Sequence, residues 1–237
     1  YMLRVKLADG RSYRSAMEVM YPGVTIDSVF AIFKQNNIPN TEQLTGSHDF
    51  FILASAERNG APVLFRASTM GIARVAAYIE PPPPDCADPP CPEICYSFRE
   101  PINREIVLGN TENTLANQIT IRVATEDYDF HSFYFAKVKT FSLSPEGYEF
   151  WNSLVSQQQI EGSIFDPQIT EIEGTNIFDT ETQAPIIGYF GASTISTDSL
   201  FFNRFEGAGF LAPIPTARNS CTEVWRAATL DVPPQFF

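Results

Sequence analysis

The 237-residue chain carries 28 acidic side chains against 16 lysines and arginines, a net charge of -12. Phosphate backbones and anionic headgroups are therefore repelled on average, and nucleic acid is not an expected partner. No apolar run approaches the roughly 18 residues of a membrane-spanning helix, and a chain of this length hides roughly 70% of its unfolded surface, enough to fold without a metal.

Tyr1-Met2-Leu3-Arg4-Val5-Lys6-Leu7 already alternates apolar and polar residues. With Asp9-Gly10 as a turn and Tyr13 opening a second strand, residues 1–24 are expected to be the last hairpin of an N-terminal immunoglobulin-like β-sandwich whose other strands lie upstream. A hairpin alone is marginal, so a missing N-terminal portion is inferred. Residues 25–237 then form a second β-sandwich domain. Period-2 alternation recurs at Ile26 to Phe33, Phe50 to Glu57, Val63 to Ala67, Ile72 to Glu80, Ile119 to Thr125, Phe133 to Leu143, Ile186 to Ser193 and Leu200 to Phe205. Such short strands separated by turns predict a mainly β, antiparallel sandwich. In Ile72 to Glu80 the alternation places Ala73, Val75, Ala77 and Ile79 on one face and Arg74, Tyr78 and Glu80 on a wet one.

The segment Pro81 to Pro92 is proline-crowded, stiff and extended, and reads as a linker between strands. It holds Cys86 and Cys91, with Cys95 just beyond and Cys221 far downstream. Three cysteines spaced x4 then x3 with a distant fourth could in principle bind zinc, but structural zinc sites show tight Cys-x2-4-Cys pairs in two clusters, so disulfides are favoured over a metal. The preferred pairing is Cys86 with Cys91 and Cys95 with Cys221.

From Ser144 onward the signals are dense. Ser144 can cap exposed amides, Pro145 suits a first helical position and Glu146 meets the positive dipole end, which predicts one packed helix over about 145–159. Tyr148, Trp151, Leu154 and Val155 form its apolar stripe. Gly162 ends it, and Ser163, Ile164, Phe165, Asp166, Pro167 and Gln168 make a fixed turn. The acidic stretch from Pro167 to Pro185 reads as a surface excursion, and Ala184 to Thr194 as a buried strand.

Motifs for chemistry are weak. There are two histidines, His48 and His131, and no Gly-x-Ser-x-Gly elbow. His48-Asp49 are expected to serve a turn and His131 to open a strand. Glu126, Asp127 and Asp129, or the acids from Glu171 to Glu181, do not follow a calcium-loop spacing, and no phosphate-cradling glycine motif is present. No cofactor is expected.

The helix, the Ser163 to Gln168 turn and Pro185-Ile186-Ile187-Gly188-Tyr189-Phe190-Gly191-Ala192-Ser193-Thr194 together resemble the C-terminal half of the domain of unknown function 4249 family of Bacteroidota lipoproteins. Tyr1 to Ser15 and Ile26-Asp27-Ser28-Val29 are similar to its earlier blocks. Cys95-Tyr96 resembles its cysteine-aromatic strand start, which makes Cys86 and Cys91 a local addition. Family members often end in a Cys-x-x-Cys pair and a Pro-Asp-Phe-Trp-like tail, whereas Cys221 stands alone here before Pro234-Gln235-Phe236-Phe237. The resemblance implies a lipid-anchored protein of the bacterial outer membrane and cell surface. It also implies non-enzymatic work as accessory or substrate-capture partner of a TonB-dependent transporter, with contact to the membrane only through a lipid on the missing N-terminal part. The alternatives are a surface glycan or peptide hydrolase and a structural subunit of a surface assembly.

Overall fold

Alternating segments bury one row of side chains and wet the other, and pairing them leaves two faces that must meet. The computed structural model describes residues 1–37, 44–57, 61–77, 93–100, 106–112, 114, 117–127, 133–158, 172, 174–203, 220–224 and 228–236. Within these residues the protein is mainly β, with antiparallel sheets and two helices.

One sheet has three strands in the order β3 (Thr25–Asn37), β4 (Leu44–Ser55), β8 (Gln118–Asp127). Opposite it lies a larger sheet in the order β12 (Ile195–Asn203), β9 (Phe133–Leu143), β5 (Leu64–Ala77), β6 (Glu93–Arg99), β13 (Ala228–Thr229), with β7 (Val107–Asn110) paired to the first part of β5. The core fills the space between them. His48, Phe50, Ile52 and Ala54 of β4 are fully buried, and Phe50 lies 5.2 Å from the Tyr134 ring of β9. Burying a side chain such as Phe50 or Ile52 is worth about 1.5–3 kcal/mol, so this row alone fixes which face of β4 turns inward. A bulge opposite Phe50 and Phe51 makes the β4–β8 register skip Val123, which lets both Val123 and Ala124 enter the core.

Strand β5 departs from expectation. Alternation predicts two strands, Val63 to Ala67 and Ile72 to Glu80, the second with a wet face. The chain instead makes one strand from Leu64 to Ala77, and Ile72 and Ala76 are buried along with Ala73, Val75 and Ala77. The strand is central, and its outer face is covered: Phe98 of β6 and Phe135 of β9 are the register neighbours of Ile72 on either side. Arg74 is half-buried, its guanidinium 5.9 Å from the Phe133 ring. Tyr78, Ile79 and Glu80 lie outside the described residues.

A third, four-stranded sheet joins the chain's beginning to a late segment, in the order β1 (Arg4–Lys6), β2 (Ser12–Ser15), β10 (Ile177–Asp179), β11 (Pro185–Ile186). The hairpin thus gains its sheet partners from downstream, where the polar run before Pro185 was expected to be a plain excursion. That run is held by a turn in which the Asp179 carboxylate accepts the Glu181 and Thr182 amides at 2.8 and 2.9 Å. These amides hold its carboxyl below the usual range.

The expected strand from Ala184 to Thr194 is only Pro185–Ile186; Ile187 is 73% exposed. At Gly188, φ is +155°, which turns the chain out of the sheet and carries Tyr189 toward the helix. The helix α1 runs from Pro145 to Gln158. Its buried positions are Gly147 and Phe150, while Tyr148, Trp151, Leu154 and Val155 are half-buried, so the inward stripe is turned by about one residue from the expected one. Trp151 takes a different job. It lies 4.5 Å from the Arg66 guanidinium, which has the Phe141 ring at 4.6 Å, and this burial pushes the Arg66 pKa down. A one-turn helix, α2 (Cys221–Val224), follows near the end, with a 3-10 turn at Pro234–Phe236.

Candidate functional site

Cys95 and Cys221 form a disulfide, which ties α2 to β6. Glu93, Cys95 and Cys221 come close enough to suggest a metal centre. The donor chemistry does not fit one: both sulfurs are spent on the bridge, and Glu93 Oε2 accepts the Cys221 amide at 2.6 Å and the Ser220 hydroxyl at 2.9 Å. Cys86, Cys91, Gly162 and Ser163 to Gln168 lie outside the described residues, as does His131.

His48 serves no turn. It sits inside β4, fully buried, its ring 5.2 Å from Phe33 and 4.6 Å from Phe202, opposite Glu126 in the register. Its neighbour Asp49 points to the other face, where Lys34 pairs with it, Thr125 donates to it at 2.6 Å and Arg122 stands 3.9 Å away. Period-2 geometry makes adjacent residues face opposite ways, so the pair cannot act together on one substrate.

The residues that organise a site cluster around Ser144, at the end of β9. Its hydroxyl oxygen accepts the Gly147 amide at 3.1 Å and shares a 2.6 Å hydrogen bond with the Tyr189 hydroxyl. The Tyr189 ring stacks on Phe150 at 5.6 Å. A Cβ at position 147 would lie 2.7 Å from the Tyr189 oxygen, so glycine is required at the third helical position for the ring to dock there. Burial pushes the Tyr189 hydroxyl well up; the Ser144 bond opposes this and the Glu18 carboxylate adds to it. Glu18 Oε1 in turn accepts the Asn176 amide at 2.8 Å, and Asn176 also bonds both polar groups of the Phe190 backbone. Helix cap, late loop and N-terminal segment are thereby joined in one buried polar network.

Beside this network, at the end of the sandwich, opens a cavity of about 830 Å³. Leu143 and Pro145 bring the helix start to its wall, Val63 and Leu64 the start of β5, and Tyr21, Pro22 and Gly23 the link between β2 and β3. Its walls are pinned by main-chain anchors. The Tyr21 carbonyl accepts the Ser142 hydroxyl at 2.9 Å and the Thr194 hydroxyl at 2.8 Å, while Val63 and Thr111 exchange two hydrogen bonds. Two of the hydroxyls lining the cavity have structural duties: Ser55 donates to Asp27 at 3.0 Å, and Thr194 is held as described; Tyr21 and Thr25 add two more to the lining. Two exposed acids, Glu57 and Glu112, complete the rim. A space of this size suits a small organic ligand.

Sequence alone marks Ser144 and Pro145 but not Tyr189, Phe150, Asn176, Glu18 or the cavity's rim. The one legible hint is the glycine at 147, inside a helix that has no other reason to weaken itself there.

The family described as a domain of unknown function (DUF4249) matches residues 1–199. No curated protein and no solved structure gives a significant match.

Proposed function

The chain belongs to that domain family, and on this premise we propose that it is a non-enzymatic capture protein: a lipid-anchored member of the bacterial outer membrane, exposed at the cell surface, that holds a small ligand and hands it to a TonB-dependent transporter. The observation that carries this reading is the cavity of about 830 Å³, whose walls come from both sheets and the helix start and are fixed before any ligand arrives. A preformed site saves the ordering cost of binding. The Ser55 and Thr194 hydroxyls are committed to holding the walls, and no histidine, lysine or arginine stands among the described lining to act as a base, which supports holding a ligand over activating a nucleophile.

A partner surface is available on the outer face of the large sheet. Phe98 and Phe201 are 46% and 48% exposed there, with Met70 at 39% between their strands. The test is a photo-crosslinking amino acid in place of Phe98 in the lipidated, full-length precursor, irradiated in native membranes, with an identical residue at exposed Asp231 as control. An adduct with a TonB-dependent transporter from position 98 and none from position 231 is the expected result. Recovery of no outer-membrane partner from position 98 would overturn the proposal.

A further inference from the structure

The charged side chains among the described walls of the cavity are Glu57 and Glu112, and no lysine, arginine or histidine stands with them. Both acids are set in place from behind. The Glu57 carbonyl accepts the Asn117 side-chain amide at 3.2 Å, and Asn117 itself adopts a left-handed φ of 55° that also lets its carbonyl accept the Ala56 amide at 2.9 Å. The Glu112 amide donates to Asn110 Oδ1 at 2.7 Å, and the Asn110 amide group reaches back to the Glu112 carboxylate at 3.4 Å.

The helix start does not offset this negative rim. Helix N-termini ordinarily attract anions through free amides. Here Pro145 has no amide hydrogen, the Gly147 amide is taken by the Ser144 hydroxyl and the Tyr148 amide by the Ser144 carbonyl at 2.9 Å, while the remaining first-turn amide is that of Glu146, which brings its own carboxylate and is not among the cavity's walls. The remaining walls are mainly apolar, with Pro22, Val63, Leu64, Leu143 and Pro145, and carry only neutral hydroxyls besides, those of Tyr21, Thr25, Ser55 and Thr194. From this division we propose that the cavity selects ligands with an apolar body and a positively charged head, the chemistry of an organic ammonium, and rejects carboxylates of the same shape. The assignment rests on the capture reading and names its ligand class: the apolar body occupies the walls and the cation faces Glu57 and Glu112.

Three probes that share an eight-carbon chain separate the two claims: octyltrimethylammonium, octanol and octanoate, titrated into the intact protein by calorimetry. The ammonium is expected to bind about tenfold more tightly than octanoate, the size of effect two partly screened carboxylates exert on a cation. In the double variant Glu57→Gln, Glu112→Gln the ratio should fall to within about twofold while octanol binding is unchanged. Both residues are exposed, so the variant keeps its fold. Occluding the mouth with Ala61→Trp should abolish all three. If octanol binds but the ammonium has no advantage, or the advantage survives the double variant, the charge selection is wrong and the cavity still captures apolar molecules. If none of the three binds to protein with an intact circular dichroism spectrum, capture and selection both fall.

Discussion

Asp49 is 1% exposed, and burial by itself would raise its pKa. The Lys34 ammonium and the Thr125 hydroxyl outweigh that cost and, with the more distant Arg122, hold the carboxyl below its ordinary value of 3.8. A depressed folded value means that the ionised carboxylate stabilises the fold above pH 3.8 and that this contribution disappears as the pH falls through the lower folded value. Asp49→Asn should therefore cost about 1.5–3 kcal/mol at pH 7, the worth of a hydrogen bond to a charged group. Urea unfolding followed at pH 7 and at a pH well below 3.8 checks it: the difference between the two proteins should be smaller at the second than at the first. A constant gap at both would assign the effect to packing. Residue roles of this kind were the least legible in the chain. His48 and Asp49 look like turn residues because both are polar, yet the strand continues through them and period 2 sends one into the core and the other to an ion pair on the opposite face. Nothing local in Asp-Phe-Phe-Ile announces a lysine fifteen residues earlier or a threonine on a third strand.

Elements were more legible than residues where their cause is local. Ser144-Pro145-Glu146 specifies a helix start in three positions, and the helix begins at Pro145. What covers the helix is not local: Tyr189 arrives from a segment 45 residues downstream, and its ring decides that Gly147 and Phe150 are the buried positions. The same Tyr189 explains why the Pro185 to Thr194 run is not a strand, since its ring is spent on the helix, against Phe150, while Thr194 goes to the cavity wall. Gly147→Ala tests this arrangement against helix propensity, because the two make opposite predictions. Alanine is about 1 kcal/mol better than glycine inside a helix. Here the added methyl would stand 2.7 Å from the Tyr189 oxygen, and that ring cannot swing aside without losing both its stack on Phe150 and its bond to Ser144. Overpacking should win, with a net loss of about 1–3 kcal/mol in denaturant unfolding. A gain in stability would show that the ring is free to move.

At the scale of the molecule, alternation was enough to predict two facing sheets, because counting strands needs only local pattern. The pairing of β4 with β8 and of β5 with β9 joins segments some seventy residues apart, and no turn chemistry encodes it. The Cys95–Cys221 disulfide fixes one such link covalently: it spans 126 residues and encloses β6 to β12. Both cysteines are fully buried, so a reductant reaches the sulfurs only when α2 lifts from β6. In the chain-entropy account a loop of this length adds about 4–5 kcal/mol by restricting the unfolded state, with strain and residual structure reducing the measured figure. The net charge of -12 makes the bridge matter more, since self-repulsion favours expansion of any opened form. Replacing Cys221 by serine should therefore lower the urea midpoint, with a loss of about 2–5 kcal/mol, and added salt should recover part of that loss by screening. Wild-type protein treated with dithiothreitol without denaturant should keep its bridge far longer than in urea, as read by mass after alkylation. Equal reduction rates in the two conditions would mean that α2 opens freely from β6, and the bridge would then be a tether for the C-terminal segment and not a brace for the sandwich.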